Sequence, residues 1–91
     1  MENAKFIAKA AKALGDRHRL MIIREITKQG SLTITQVLQL SNLAQPSISH
    51  HVKQLTECEL VDANKTGRTV HLTLNREKMD EFTAWFGEKV S

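Results

Sequence analysis

Ser47, Ser49, His50, His51 and Lys53 crowd into one short stretch, AQPSISHHVKQL, residues 44–55. Hydroxyls donate and accept hydrogen bonds, an imidazole does either according to its tautomer, and an ammonium only donates. At 100° per residue Ile48, Val52 and Leu55 share one apolar stripe. Pro46, Ser47, His50, Lys53 and Gln54 take the opposite face, flanked by Ser49 and His51. A helix that carries short hydrogen-bonding groups, one cation and two imidazoles on its free side suits base edges and phosphates. Any one of these residues taken alone is better explained as ordinary solvated surface, so the elements around them must decide. The four histidines and ten acids form no nucleophile, metal-ligand or glycine-loop constellation, and the chain reads as a non-enzyme.

The 91 residues have room for a single domain spanning 1–91, and a 41% hydrophobic content gives it a thin core that a partner subunit would help to complete. The net charge of +3 is too small to imply nucleic acid by itself. Its distribution says more: through Arg76 there are 11 basic and 6 acidic residues, whereas Glu77 to Ser91 holds 2 basic and 4 acidic. The net values, +5 and −2, point the two regions at different partners. Cys58 is the only cysteine, which excludes an intrachain disulfide and a multi-cysteine zinc site within one chain and fits a reducing cytosol. MENAKFIAKAAKAL has lysines throughout and no uninterrupted apolar run, so it is not a secretory signal, and no stretch reaches the length of a membrane span. The expected location is cytoplasmic.

Asn3 to Leu14 predicts an amphipathic helix with Phe6, Ile7, Ala10, Ala11 and Leu14 on one broad face and lysines on the other. Gly15 stops it and Asp16 caps a second helix, Arg17 to Lys28, whose buried stripe is Leu20, Ile23 and Ile26 or Thr27, widened by Ile22. Thr33 to Leu40 predicts a short third helix with Ser31 or Thr33 near its cap. Ser41 to Leu43 then turns tightly into the 44–55 stretch, completing the outline of a helix-turn-helix. Pro46 sits in the first turn of that fourth helix, where its missing N–H costs little. Beyond it the period changes to two. Leu60 and Val61 open one strand, Thr69 to Leu74 forms another with Val70, Leu72 and Leu74 inward, and NKTGR, residues 64–68, joins them as a hairpin loop with Lys65 and Arg68 at its tip. Arg76 to Val90 predicts a last helix with Met79, Phe82, Phe86 and Val90 on a seam beside Trp85. The fold class is thus mainly α with a small β-hairpin wing, a winged helix-turn-helix.

The particular words of the chain resemble the ArsR family of bacterial repressors. ALGDRHRLMII, residues 13–23, looks like that family's ALADPTRLRIL-type opening, and QPSISHHVKQL, residues 45–55, like its Q-P-x-[IV]-S-x-H-L-x-x-L signature. LVDANKTGRTVHLTLN, residues 60–75, resembles its wing. The resemblance implies a homodimer whose first and last helices pack across a two-fold axis, with Phe6, Ile7, Ala10, Leu14, Met79, Phe82, Trp85 and Phe86 at the interface. It also implies a transcriptional repressor of double-stranded DNA with an imperfect inverted-repeat operator, released by an inducer that nothing in the sequence identifies. The residues assigned to DNA are Gln45, Ser47, Ser49, His50, His51, Lys53 and Gln54 on the reading helix and Lys65 and Arg68 on the wing. His51 serves equally well as a structural imidazole.

Departures from the family concern the signal. Many members sense metals through a cysteine pair in an L-C-V-C-D-like word, and Leu32, Thr33, Ile34, Thr35 and Gln36 stand there in this chain, with threonines for both thiolates. Other members bind zinc through Asp, His and Glu of the last helix, and Glu77 to Ser91 contains no histidine. Neither family metal site is expected, and no cofactor. Ala44 replaces the usual cap before Gln-Pro, and Glu59 stands where the family usually has Gly. Two other readings stay open: a winged-helix module that joins a larger assembly through its apolar end helices, and a sensor with non-standard chemistry, either metal ligands such as His18, His71 and carboxylates or the Cys58 thiol.

Overall fold

The computed structural model describes residues 3–89. Helices α1 (Ala4–Leu14) and α2 (Arg17–Gln29) lead into a two-residue strand β1 (Leu32–Thr33), then α3 (Ile34–Leu40) and α4 (Gln45–Glu57). The hairpin β2 (Val61–Thr66) and β3 (Thr69–Leu74) follows, and α5 (Arg76–Lys89) closes the described chain. Val90, the last position of the apolar seam, lies outside the described residues.

Local chemistry sets most of the boundaries. Asp16 caps α2, its Oδ1 accepting from the backbone N–H of His18 at 2.8 Å and of Arg19 at 3.1 Å. Gly30 ends α2 at φ 85°, a conformation that costs glycine nothing. Thr33 caps α3 in a reciprocal box: its hydroxyl accepts from the Gln36 N–H, and the Gln36 side chain accepts from the Thr33 N–H. Thr33, which stands at a cysteine position of the L-C-V-C-D-like word of the family that the chain resembles, is therefore spent here on starting a helix.

The sheet order is β1-β3-β2, antiparallel throughout. Leu32 pairs with Leu72 and Thr33 with His71, so β1 ties the start of the helix-turn-helix to the wing. That strand has no sequence signature, because two residues become a strand only through a partner about forty positions away. The hairpin is also tighter than the expected loop over residues 64–68. Pairing continues to Thr66 opposite Thr69, leaving a two-residue turn, Gly67-Arg68, with positive φ at Gly67.

The core lies where α1, α2, α4 and the sheet meet, with Ile22, Ile26, Leu32, Val37, Ile48, Leu55, Leu60, Val61 and Leu72 fully buried. One expectation for α2 fails. Leu20 is 51% exposed, while Ile22 and Ile26 carry the burial and Met21 and Ile23 flank them, so the stripe is centred on Ile22 and not on Leu20. Packing on both β3 and α4 rotates the helix away from its simplest amphipathic reading.

Candidate nucleic-acid interface

Helix α4 presents two chemically different sides. Ile48 and Leu55 face the core, and Gln45, Pro46, Ser47, Ser49, His50 and Lys53 are exposed; Gln54 is half-buried at the edge. Ala44 occupies the cap in extended geometry without a side-chain hydrogen bond. The Ala44 carbonyl accepts from Ser47 N–H at 3.0 Å and from Ile48 N–H at 3.1 Å, and Pro46 removes one donor that would otherwise need a partner. The first turn thus offers Gln45, Ser47 and Ser49 side chains, with no acid in it. Glu57, which the sequence reading passed over, stands one turn beyond Lys53 with its carboxylate 4.0 Å from the ammonium. Both are exposed, so a phosphate can exchange for this pair at little cost.

The wing and α4 enclose a groove of about 530 Å³. Gln45, Ser49 and Lys53 line it from the helix, Arg68 and Val70 from the hairpin, and Thr33 and Thr35 from the start of α3. Four of the nine residues assigned to DNA from sequence therefore converge on one concave surface. Lys65 pairs with Val70 across the hairpin, which puts it on the same face of the wing. Ser47 and His50 lie on the exposed outer side of the helix.

His51 belongs to a different place. Only 9% exposed, it is turned under α4 against the start of α2, with its Nδ1 3.0 Å from Arg19 Nη1 and 3.8 Å from Asp16 Oδ1. A guanidinium can only donate, so His51 Nδ1 is the acceptor and the neutral ring carries its proton on Nε2. Burial holds its pKa below the ordinary imidazole value; the Asp16 carboxylate opposes this, and the Arg19, His18 and His50 charges reinforce it. Burial raises the Asp16 pKa, but the backbone N–H groups of Arg19 and His18, helped by the Arg19 guanidinium, outweigh it, leaving the carboxylate below its usual range. The Arg19 guanidinium also donates from Nε to the Ala13 carbonyl. His51 is therefore withdrawn from the DNA-facing set: its neighbours are the α2 cap and Arg19. The helical wheel places it on the flank in either role, and only the position of α2 decides between them.

The residues expected at a dimer interface divide similarly. Ile7 and Ala10 are buried in the chain's own core, because α1 packs that face on α2 and α4, and they are corrected to core residues. Phe6 is half-buried beneath Lys78, whose ammonium lies 5.0 Å from the ring centroid, and the Asn3 amide donates to the Glu81 carboxylate, fastening α1 to α5. Leu14, Met79, Phe82 and Trp85 are half-buried, and Phe86 is 39% exposed. Ala4, Ala8 and Ala11, at helical spacing, are exposed small residues of α1. Phe82, Phe86 and Trp85 stack edge to face, with centroids 5.0 and 5.2 Å apart. Among the described residues the Trp85 indole Nε1 is occluded without an acceptor.

Comparison with known proteins agrees with this geometry. Residues 16–63 match the family model of the bacterial regulatory protein, arsR family. A helix-turn-helix transcriptional regulator from Methanocaldococcus jannaschii is 36% identical over 67 residues, covering 74% of this chain and 75% of the relative. The arsenical resistance operon repressor of Staphylococcus xylosus is 34% identical over 76 residues, 84% and 72% of the two chains. The crystal structure of an ArsR family transcriptional regulator, RHA00566, superposes with a TM-score of 0.87 over 98% of this chain and 92% of that one, at 21% identity, a likeness of fold. From the helix-turn-helix, the wing, the matched span and these relatives together, the chain belongs to the ArsR family of winged helix-turn-helix transcriptional regulators.

Proposed function

We propose that this chain is a homodimeric repressor that reads an imperfect inverted repeat in double-stranded DNA, in the cytoplasm, with α4 in the major groove and the wing on the flanking backbone. The observation that carries the reading is the groove in which Gln45, Ser49 and Lys53 of α4 meet Arg68 of the wing. Amide and hydroxyl groups there suit base edges and phosphate oxygens, and the two cations suit phosphates. Ser47 and His50, exposed on the outer face, are the base-reading candidates. Relatives named as repressors, including SdpR of Bacillus subtilis at 28% identity over 74 residues, favour repression over activation. In a two-fold dimer the reading helices stand about 34 Å apart, one helical turn of DNA.

Helix α4 has a single lysine and no arginine, so its affinity is limited and must be made up by the wing and by dimerisation. Two copies of Lys53, Lys65 and Arg68 make about six phosphate contacts, for which the slope of log K against log salt is about −5. Fluorescence anisotropy on a duplex selected from a random pool, at several salt concentrations, measures it. Replacing Lys65 and Arg68 with alanine removes about four contacts and flattens the slope to about −2. Salt-independent binding, or none to any selected duplex, overturns the reading in favour of a winged-helix protein-interaction module.

A further inference from the structure

We propose that Asp16, His18 and His51 form a site for a divalent first-row transition ion such as Zn²⁺, set between the start of α2 and the buried side of the reading helix. One ligand atom from each residue lies within 4.8 Å of the other two. Asp16 Oδ1 is 3.7 Å from His18 Nδ1 and 3.8 Å from His51 Nδ1, and the two imidazole centroids are 5.4 Å apart. Ligands about 2.1 Å from a tetrahedral ion are roughly 3.4 Å apart, so side-chain movements of a few tenths of an ångström to about 1 Å close the site.

The donor set suits such an ion. Two imidazoles and one carboxylate are borderline ligands that take zinc or its neighbours in preference to magnesium or calcium, and they leave a fourth position for water. His18 and Asp16 are half-exposed, which gives the ion a way in, while His51 supplies a buried ligand already free of a proton on Nδ1. Both cap bonds, from His18 and Arg19 N–H, fall on Oδ1, so loading either shares that oxygen between cap and ion or brings in Oδ2, whose lone pairs accept no cap bond. The competitor is Arg19. Its guanidinium holds the His51 nitrogen that the ion needs, so loading breaks the 3.0 Å bond between α2 and α4 and replaces it with a metal bridge between the same helices. None of this uses the positions of the family's cysteine pair or its last-helix ligands.

Titration of the metal-free chain with Zn²⁺ against a chromophoric chelator is expected to find one tight equivalent per chain and a rise in Tm on loading. His18→Ala, at a half-exposed position, and Asp16→Asn, which keeps a helix cap, each weaken binding at least tenfold and abolish the Tm rise, with circular dichroism confirming the fold. His50→Ala and His71→Ala bind as the wild type does. With Cu²⁺ as probe, electron paramagnetic resonance shows coupling to two imidazole nitrogens, reduced to one in His18→Ala. A folded wild-type chain that retains no Zn²⁺, equal binding by His18→Ala and the wild type, or loss of the site in His50→Ala overturns the proposal.

Discussion

Glu59 holds a backbone conformation that its side chain does not favour, φ 70°, directly after the α4 cap at Cys58. Among the described residues its ionic partner, Lys78 Nζ at 3.8 Å, leaves the carboxylate largely exposed and contributes little. The left-handed region costs a non-glycine residue roughly 1 kcal/mol or more. Glu59→Gly is accordingly expected to raise stability by about 0.5 to 1 kcal/mol in urea denaturation, and a loss of stability would show that the ion pair outweighs the strain. The neighbouring Cys58 is buried, its Sγ donating to the Leu55 carbonyl at 3.4 Å. Burial pushes its thiol pKa up, more than the Leu60 and Cys58 N–H groups and the charges of Lys9 and Arg19 bring it down. Because the folded pKa is the higher, the contribution to stability is complete below the unfolded value and is lost as pH rises through the folded one. An alkylating reagent at pH 8 should therefore modify Cys58 in urea and leave the native chain almost untouched; rapid native labelling would revive the thiol-sensor reading. Glu59 was legible in the sequence, since only the family's glycine position had to be noticed. The His51–Arg19 contact was not, because the two residues lie 32 positions apart and nothing in either helix announces the other.

Element boundaries were legible wherever the punctuation is local: Asp16 before α2, Gly30 after it, and Pro46 in the first turn of α4. They were illegible where pairing decides, as in β1 and in the last residues of β2, because a ladder bond depends on the partner strand. The cap of α4 offers a test at this scale. Ala44 has extended geometry at φ −77° and ψ 159°, which a serine adopts without strain, and serine would offer a hydroxyl to the Ser47 N–H. Since that N–H already bonds to the Ala44 carbonyl, the gain falls at the lower end of the usual range, about 0.5 to 1 kcal/mol. Thermal denaturation of Ala44→Ser should show a higher Tm with operator affinity retained, and an unchanged or lower Tm would mean that the first turn is already satisfied. The nine DNA assignments divide along the same line. The exposed polar face of α4 follows from periodicity, whereas the approach of Arg68 to Ser49 and Lys53 follows from a hairpin turn tighter than its composition suggested.

At the scale of the whole molecule, the core is thin and an aromatic cluster stands at its edge. Phe82, Trp85 and Phe86 gather on α5, with Phe86 39% exposed and the Trp85 Nε1 lacking an acceptor among the described residues. Beside this cluster α1 exposes Ala4, Ala8 and Ala11, small enough for another helix to approach closely. Phe86→Glu tests whether these surfaces meet in a dimer. At a position this exposed the substitution changes the stability of one chain by about 0.5 kcal/mol or less, yet in an interface it buries an unpaired carboxylate beside two aromatic rings. Sedimentation at micromolar concentration should turn a dimeric wild type into a monomer. Because linking two half-site contacts multiplies affinity by about 10²- to 10⁴-fold, the variant should lose roughly that factor on the full inverted repeat and almost nothing on an isolated half-site. A Phe86→Glu chain that stays dimeric with full operator affinity would place the interface elsewhere. Equal losses on the full site and the half-site would point instead to a disturbed reading helix.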